Sequence, residues 1–409
     1  MKNSSSSFTR PLLSWAFYDF ANTIFSAIVL TVYFPLYFTG LSGSNRGLGL
    51  ATTLAMLLSG ILTPFLGSMS DRTGRTKRYL ARSTLVCVLS MALLSLSSNL
   101  ALLFTFFIFA CVFYHASLVF YNSLLVSAAA SEKNQAWASG LGTGLGYLGV
   151  VFSLPLAHLA DKAWGRPSVF WLGALLFLIF ALPLFAFVPE RTVARPVPFS
   201  FKLWHFEWQK MTGLLKHLPE KPALLLFLGG NFFAVDALNA MIFWFSVYAR
   251  EVFGPSPESL IRLILGLNAS AFACGIVAGL LCPRIGAMRV LLLAALSLTL
   301  CAAGLALSGS YTVFSILALS LGAFAISGIW TASRKVLIEL APADEIGSYF
   351  GLYGLTTKIS IIGNLVFSVL ADLSGFRVAV AILCFPASAG FLLLAASAWV
   401  RKRSEKNSF

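Results

Sequence analysis

Long runs of apolar residues alternate along the chain with short segments that carry most of its charges and many of its glycines and prolines. The hydrocarbon core of a bilayer is about 30 Å thick, so a helix needs about 20 apolar residues to cross it. Breaking the sequence at the polar segments predicts twelve such helices, and the expected fold class is therefore all-α and integral to a membrane. The predicted spans are residues 12–38, 47–68, 79–97, 101–125, 136–160, 167–188, 222–249, 258–282, 288–308, 311–333, 348–371 and 377–400.

The longest polar connection, residues 189–221, divides the predicted spans into two sets of six. We therefore expect an N-terminal half (1–188), a cytoplasmic linker (189–221) and a C-terminal half (222–409). Apolar residues recur at helical spacing within the linker, which predicts an amphipathic helix on the membrane surface that tethers the halves or binds a partner. The apolar positions of this helix are Phe201, Trp204, Trp208, Met211, Leu215 and Leu218.

Composition and charge placement support a membrane protein. Of the 409 residues, 58% are hydrophobic and only 11% are charged, which excludes a soluble domain and a disordered chain. The net charge of +14 could suggest a nucleic-acid partner, but 22 of the 29 Lys and Arg residues fall on the side of the N-terminus if twelve spans are threaded through a bilayer. This bias predicts a multi-pass protein of the cell (inner) membrane with both termini in the cytoplasm and no nucleic-acid partner.

Three sequence matches relate the two halves at nearly constant offsets. They are Asp19 and Asn22 with Asp236 and Asn239 (offset 217), Gly67, Arg72 and Gly74 with Gly279, Arg284 and Gly286 (offset 212), and Gly140-Leu141 with Gly351-Leu352 (offset 211). Ordered matches of this kind indicate an internal duplication. Two parallel repeats of six helices, with a solute cavity at the midplane between them, are an architecture of secondary transporters.

The connection between spans 2 and 3 carries a glycine- and charge-rich motif. Its residues are Gly67, Asp71, Arg72, Gly74 and Arg75. With twelve predicted spans, this motif resembles the major facilitator superfamily, and the resemblance implies that the loop is a conformational latch that contacts span 11. Gly74 permits a tight turn, and Asp71 either pairs with an arginine or faces a helix N-terminus. The second-half copy has Pro283 in place of Asp71, so only the first copy can latch electrostatically.

Further motifs are similar to the vacuole-effluxer-like branch of the superfamily. They are Tyr18-Asp19-Phe20-Ala21-Asn22, Phe120-Tyr121-Asn122, Gly146-Tyr147-Leu148-Gly149 and the pair Ser333-Arg334. Yeast members of this branch are associated with amino-acid release from the vacuole. The resemblance implies efflux of an amino acid or a related metabolite.

Only Asp19 and Asp236, among the acidic residues, lie well inside predicted spans. A charge at the centre of a membrane helix costs at least about 2.5 kcal/mol, so such residues mark partners or pathways. Asp236 is a candidate proton-coupling carboxylate, and the alternative is a static ion pair with Lys358, the one basic residue deep in a span. For Asp19 a structural role, with the carboxylate hydrogen-bonded to helix ends, is favoured.

Several neutral or weakly basic polar residues complete the candidate pathway. Asn22 and Asn239 lie one helical turn from Asp19 and Asp236, and so on the same helix faces. His115 suits proton relay or solute contact, although a packed histidine is the simpler interpretation. Asn122 and Tyr147 belong to the branch motifs and are the remaining candidates.

These features predict a secondary active transporter for a small organic solute, coupled to protons and working by alternating access. No cofactor is expected, because the sequence has no nucleotide-binding motif and no metal-spaced cluster of Cys and His. We expect a monomer whose partners are the solute, protons and the bilayer. A receptor or scaffold with a transporter fold is the alternative, and a membrane-embedded enzyme is less well supported because no catalytic motif is present.

Overall fold

The computed structural model of the protein describes residues 9–42, 45–129, 131–190, 197, 201–359 and 362–407. Every regular element within these ranges is a helix. Contacts between Cα atoms divide the chain into two compact units. The first comprises Met1–Met211 with Ala343–Leu355, and the second comprises Thr212–Pro342 with Thr356–Phe409.

The N-terminal part of the chain forms nine helices in the described residues. They are α1 (Arg10–Phe25), α2 (Tyr33–Ser42), α3 (Asn45–Thr73), α4 (Thr76–Leu93), α5 (Leu100–Ser123), α6 (Leu125–Ala128), α7 (Glu132–Trp164), α8 (Ser168–Phe187) and α9 (Phe201–His217). A π-helical segment, Ser26–Val32, joins α1 to α2 without interrupting the helix path. The helix α9 coincides with the amphipathic helix predicted in the linker.

The C-terminal part forms a further nine α-helices in the described residues. They are α10 (Pro222–Phe253), α11 (Pro257–Ile285), α12 (Ala287–Leu307), α13 (Tyr311–Leu317), α14 (Ala323–Leu340), α15 (Ile346–Ile359), α16 (Ile362–Ser374), α17 (Phe376–Ile382) and α18 (Cys384–Asn407). A short 3-10 helix, Leu218–Glu220, precedes α10, and a π-helical segment, Ala318–Gly322, joins α13 to α14.

Ten helices in the described residues are long and apolar enough to cross a membrane. They match ten of the twelve predicted spans. The other two predictions fall on α4 and on the pair α15 and α16. The helix α4 begins with a basic turn, which lowers its mean hydropathy, and residues 360–361, between α15 and α16, lie outside the described residues.

Glycines with positive φ angles recur at equivalent points of the two halves. Gly74 (φ 62°) and Gly286 (φ 94°) are 212 positions apart, and Gly165 (φ 81°) and Gly375 (φ 83°) are 210 apart. Residues with a Cβ atom rarely adopt such angles. The duplication read from the sequence therefore extends to the backbone conformation of its turns.

Aromatic side chains pack the core of the first unit between α1, α5 and α8. Trp15 stacks on Tyr121 with ring centroids 4.3 Å apart, and Phe25 stacks on Tyr114 at 4.5 Å. The Trp15 indole also donates a 2.8 Å hydrogen bond to the Tyr121 carbonyl. These contacts fix α1 against α5 and so position the polar residues of α1.

The glycine-rich face of α7 lies directly on α1. A Cβ atom added at Gly146 would lie 2.9 Å from the Thr23 hydroxyl, and one at Gly149 would lie 2.7 Å from the Phe20 carbonyl oxygen. Small residues of this kind let two membrane helices approach closely. Close packing thus accounts for these glycines of α7.

Candidate functional site

The carboxylate of Asp71 is bound at the N-terminus of α15. It is buried in the last turn of α3 and accepts hydrogen bonds from the backbone N–H groups of Gly347 (2.8 Å) and Ser348 (2.7 Å). The Ser348 hydroxyl donates a third, at 2.9 Å. The first N–H groups of a helix have no partner inside it and carry partial positive charge, so a carboxylate is well stabilised there. Of the two predicted environments for Asp71, the helix N-terminus is the one observed.

Glycines allow this close approach of α3 and α15. A Cβ atom at Gly67 would lie 2.0 Å from the Gly347 carbonyl oxygen, and one at Gly351 would lie 2.4 Å from the Pro64 Cα atom. A Cβ atom at Gly347 would lie 2.7 Å from the Asp71 carboxylate itself. No other residue fits these positions without displacing backbone.

The rest of the motif turns the chain between α3 and α4. Gly74 has a positive φ angle, as its predicted role in a tight turn requires. The Arg72 guanidinium lies 4.6 Å above the ring of Phe206 in α9, and its carbonyl oxygen accepts a 3.0 Å hydrogen bond from Val197 N–H. Arg75 is exposed at the start of α4. The linker is thereby attached to the end of α3.

Asp19 and Asn22 lie on a buried face of α1. A Cβ atom at Gly142 would lie 3.0 Å from the Asp19 carboxylate and 3.1 Å from the Tyr121 hydroxyl, so this glycine leaves room for both groups. Asn22 is 3% exposed, and within the described part of the chain neither atom of its amide has a hydrogen-bond partner. Buried amides without partners are rare in folded proteins and suggest a bound molecule or ion.

The other candidates of the first half lie on α5 and α7. His115 is buried within α5, and Tyr147 is half-buried on α7. Asn122 lies at the end of α5, and its buried amide oxygen accepts no hydrogen bond from the described residues. Asn22 and Asn122 therefore both present unused hydrogen-bonding capacity inside the first unit.

Asp236 occupies the middle of α10, and its carboxylate is half-buried. It accepts a 3.0 Å hydrogen bond from the N–H of Gly363, near the first described residue of α16. A Cβ atom at Gly363 would lie 2.5 Å from both carboxylate oxygens, so only glycine admits this contact. The sequence interpretation missed Gly363, because a backbone donor 127 positions away leaves no local signal.

Lys358 is not the ion-pair partner of Asp236 in this structure. The hydrogen bond found for its ammonium group is to the Thr357 hydroxyl at 3.4 Å, and no described carboxylate lies within 4.0 Å of it. Asn239 is half-buried one turn beyond Asp236 on α10. The static pair that was one alternative for Asp236 is therefore not formed.

Ser333 and Arg334 are buried on α14. The Ser333 hydroxyl donates to the Ile329 carbonyl oxygen at 2.5 Å, within its own helix. Next to them, Glu339 is held between Lys335 (3.5 Å) and Arg401 of α18 (2.8 Å). The sequence interpretation missed this charge cluster, although the i, i+4 spacing of Lys335 and Glu339 could have indicated its first pair.

Comparison with known proteins decides the family. The model of the Major Facilitator Superfamily matches residues 15–362. The chain belongs to the major facilitator superfamily. It is 27% identical, over 394 residues and 90% of both chains, to the uncharacterized MFS-type transporter YxiO of Bacillus subtilis. It is also 32% identical, over 264 residues, to the multidrug resistance protein MdtG of Citrobacter koseri, covering 62% of this chain and 60% of that one.

A solved structure agrees with this assignment at the level of the fold. The crystal structure of the human organic anion transporter MFSD10 (TETRAN) has a TM-score of 0.74 at 14% identity, and the match covers 94% of this chain and 98% of that one. The predicted all-helical transporter fold with two halves is confirmed. The protein is a multi-pass integral membrane protein and a secondary transporter of small-molecule solutes, not an enzyme.

Proposed function

We propose that this major facilitator transporter exports an amino acid or a related small metabolite in exchange for protons, with Asp236 as the coupling carboxylate. The observation that carries the proposal is the hydrogen bond from Gly363 N–H to Asp236. It places a half-buried acid, without a basic partner among the described residues, at a junction between α10 and α16. Such an acid is positioned to bind and release a proton.

The proposed coupling follows from the strength of this hydrogen bond. A hydrogen bond to an ionised carboxylate is roughly twice as strong as one to a neutral group. Proton binding to Asp236 therefore weakens the link between α10 and α16, and proton release restores it. By thermodynamic reciprocity, a conformation that breaks the link binds the proton more tightly. Alternating access couples to the proton gradient if the two conformations expose Asp236 to opposite sides of the membrane.

The solute class is proposed from the amides and from the branch resemblance. A zwitterionic amino acid carries donors and acceptors, and an amide side chain supplies both. Asn22 and Asn122 have unused capacity of this kind among the described residues, and Asn239 lies close to Asp236 along α10. His115, Tyr147, Asp19 and Lys358 remain proposed members of the pathway.

The latch and the topology are part of the same proposal. The proposed latch, Gly67, Asp71, Arg72, Gly74 and Arg75, would stabilise one conformation through the contacts of Asp71 with α15. Ser333 and Arg334 would support α14, the helix that precedes α15 in the chain. The distribution of basic residues supports cytoplasmic termini in the inner membrane. The proposed transporter is a monomer in which residues 189–221 join the halves 1–188 and 222–409.

The proposal is tested by counterflow of labelled amino acids into liposomes that contain the full-length protein and an excess of unlabelled amino acids. Exchange needs no known driving ion, so saturable uptake establishes the solute class by itself. An imposed pH gradient then tests coupling: it should drive accumulation by the wild type but not by Asp236→Asn, which should still exchange. Accumulation by Asp236→Asn equal to that of the wild type would refute the coupling role.

A second candidate solute class is a lipophilic drug. The similarity to the multidrug resistance protein MdtG favours it, although that match spans 62% of this chain. The same liposomes, loaded with a fluorescent lipophilic cation, discriminate between the two. Extrusion of the dye without amino-acid counterflow would replace the amino acid with a lipophilic drug as the proposed solute. The role of Asp236 in proton coupling would then be tested with the dye.

A further inference from the structure

The exposed face of α4 changes from basic to apolar along its length. Arg75, Arg78 and Arg82 are exposed and follow one another at spacings of three and four residues, which places them on one face. The same face continues with Leu85 and Leu89, which are 51% and 53% exposed. On a membrane-spanning protein, this face runs from the polar headgroups into the hydrocarbon.

The three arginines have no acidic partner among the residues that the structure describes. No carboxylate in the described part of the chain lies within 4.0 Å of them. Glu190, an acid close to the start of α4, instead accepts a 2.7 Å hydrogen bond from the backbone N–H of Lys77. The Lys77 ammonium donates to the carbonyl oxygens of Phe185 and Val188 at the end of α8. The arginines are therefore available to an external anion.

The duplicated helix in the second half carries the same apolar stripe with fewer charges. At an offset of 211, Arg78 corresponds to Arg289, while Leu85 and Leu89 correspond to Leu296 and Leu300, all of them exposed. At the position of Arg82, however, α12 has Leu293. The Arg289 guanidinium donates to the Ile285 carbonyl oxygen at 3.3 Å. The apolar stripe is common to both halves, whereas the cluster of arginines is specific to the first.

We propose that Arg75, Arg78 and Arg82 bind the phosphate headgroup of one anionic phospholipid, whose acyl chains lie along Leu85 and Leu89. The planar guanidinium group matches a phosphate with two parallel hydrogen bonds. Arg82 lies about 6 Å further along the helix than Arg78, and its long apolar stem lets the charge reach back to the headgroup level. A zwitterionic headgroup carries a compensating cation and binds this cluster less tightly.

Native mass spectrometry of the full-length protein in detergent, titrated with phosphatidylglycerol or phosphatidylcholine, tests the proposal. Each basic side chain near an anionic lipid contributes a factor of about five in affinity, so Arg78→Gln with Arg82→Gln should weaken phosphatidylglycerol binding about 30-fold. The matched control Arg289→Gln should change it less than about fivefold. Equal losses in the two variants, or equal wild-type affinity for both lipids, would overturn the proposal.

A gain-of-function variant tests the site even if the double variant fails to fold. Leu293→Arg places a second arginine one turn beyond Arg289 and should add a bound phosphatidylglycerol that the wild type lacks. An unchanged number of bound lipids in this variant would count against the arginine pair as the recognition element. Inorganic phosphate should not displace the lipid. It has no acyl chains to contact Leu85 and Leu89, and so it binds the arginines alone.

Discussion

Two carboxylates, Asp71 and Asp236, each accept a hydrogen bond from the backbone at the start of a helix within residues 346–374, yet their environments differ. Asp71 is buried and accepts three hydrogen bonds from Gly347 and Ser348. Asp236 is half-buried and accepts one from Gly363. Three donors hold the Asp71 carboxylate more firmly than a single donor holds that of Asp236, so breaking the Asp236 contact costs less. Asp71 is thus a fixed attachment between α3 and α15, whereas Asp236 is the candidate for a contact that forms and breaks.

The two copies of the motif loop sharpen this contrast. Both retain a glycine with a positive φ angle directly after the first helix, Gly74 after α3 and Gly286 after α11. The second copy has Pro283 inside the end of α11, where the first has the Asp71 carboxylate. The helix-ending glycine is thus common to both copies, whereas the electrostatic attachment belongs to the first.

The largest expected effect comes from filling the space at the Asp71 attachment. In Gly347→Ala, the new Cβ atom would lie 2.5 Å from the Gly67 carbonyl oxygen and 2.7 Å from the Asp71 carboxylate. Overpacking and the lost hydrogen bonds together should lower the free energy of unfolding by about 3 kcal/mol or more and abolish counterflow. Thermal unfolding and liposome counterflow measure both. Gly309→Ala, with nothing within 4 Å of the new atom, is the control and should behave as wild type.

Removing the Asp71 carboxylate should have the next largest effect. Asp71→Ala leaves the N–H groups of Gly347 and Ser348 without their acceptor, at an expected cost of about 2 to 3 kcal/mol. Ser348→Ala removes one of the three hydrogen bonds and should cost about 1 kcal/mol. Thermal unfolding ranks the variants, with Pro283→Ala as the second-half control. Counterflow should be slowed by Asp71→Ala and unchanged by Pro283→Ala. Equal slowing by the two variants would show that the latch is not specific to the first half.

A smaller effect on stability, but a selective effect on coupling, is expected at Asp236. Asp236→Asn keeps the size of the side chain and an acceptor for Gly363 N–H, so the melting temperature should fall by an amount that corresponds to about 1 kcal/mol. The Asn side chain cannot bind or release a proton. The rate of solute exchange by Asp236→Asn should therefore no longer depend on pH. Counterflow rates measured over a pH series decide this. A pH profile identical to that of the wild type would exclude Asp236 as the coupling group.

Ten of the twelve predicted spans coincide with long apolar helices of the described residues, because the bilayer imposes a length of apolar sequence on each span. Their ends could not be predicted, since α7 continues to Trp164, α10 to Phe253 and α14 to Leu340. Hydropathy reports where the chain leaves the hydrocarbon, while backbone hydrogen bonding continues until a cap or a glycine ends the helix. The helical linker was predictable for a different reason, namely its local periodicity.

The candidate site was predictable in its acids, and for Asp71 also in its environment, a helix N-terminus, but the individual partner groups were not predictable. Asp71 and Asp236 are conspicuous because carboxylates are costly in or near a membrane. Their partners are backbone N–H groups 276 and 127 positions away. Every residue except proline has such a group, so the sequence alone does not point to them. Lys358 was the natural partner on charge alone, and the structure pairs Asp236 with a glycine instead.

The smallest expected effect is the coupling between Asp236 and Lys358. Since the structure has no ion pair between them, a double-mutant cycle of Asp236→Asn and Lys358→Gln should give an interaction energy within about 0.5 kcal/mol of zero. Thermal unfolding of the four proteins provides the cycle. Destabilisation by Asp236→Asn that Lys358→Gln restores would reveal an ion pair formed in another conformation. Asp236 would then alternate between a lysine and the Gly363 N–H, and its proton affinity would follow the conformational cycle through the lysine rather than through α16.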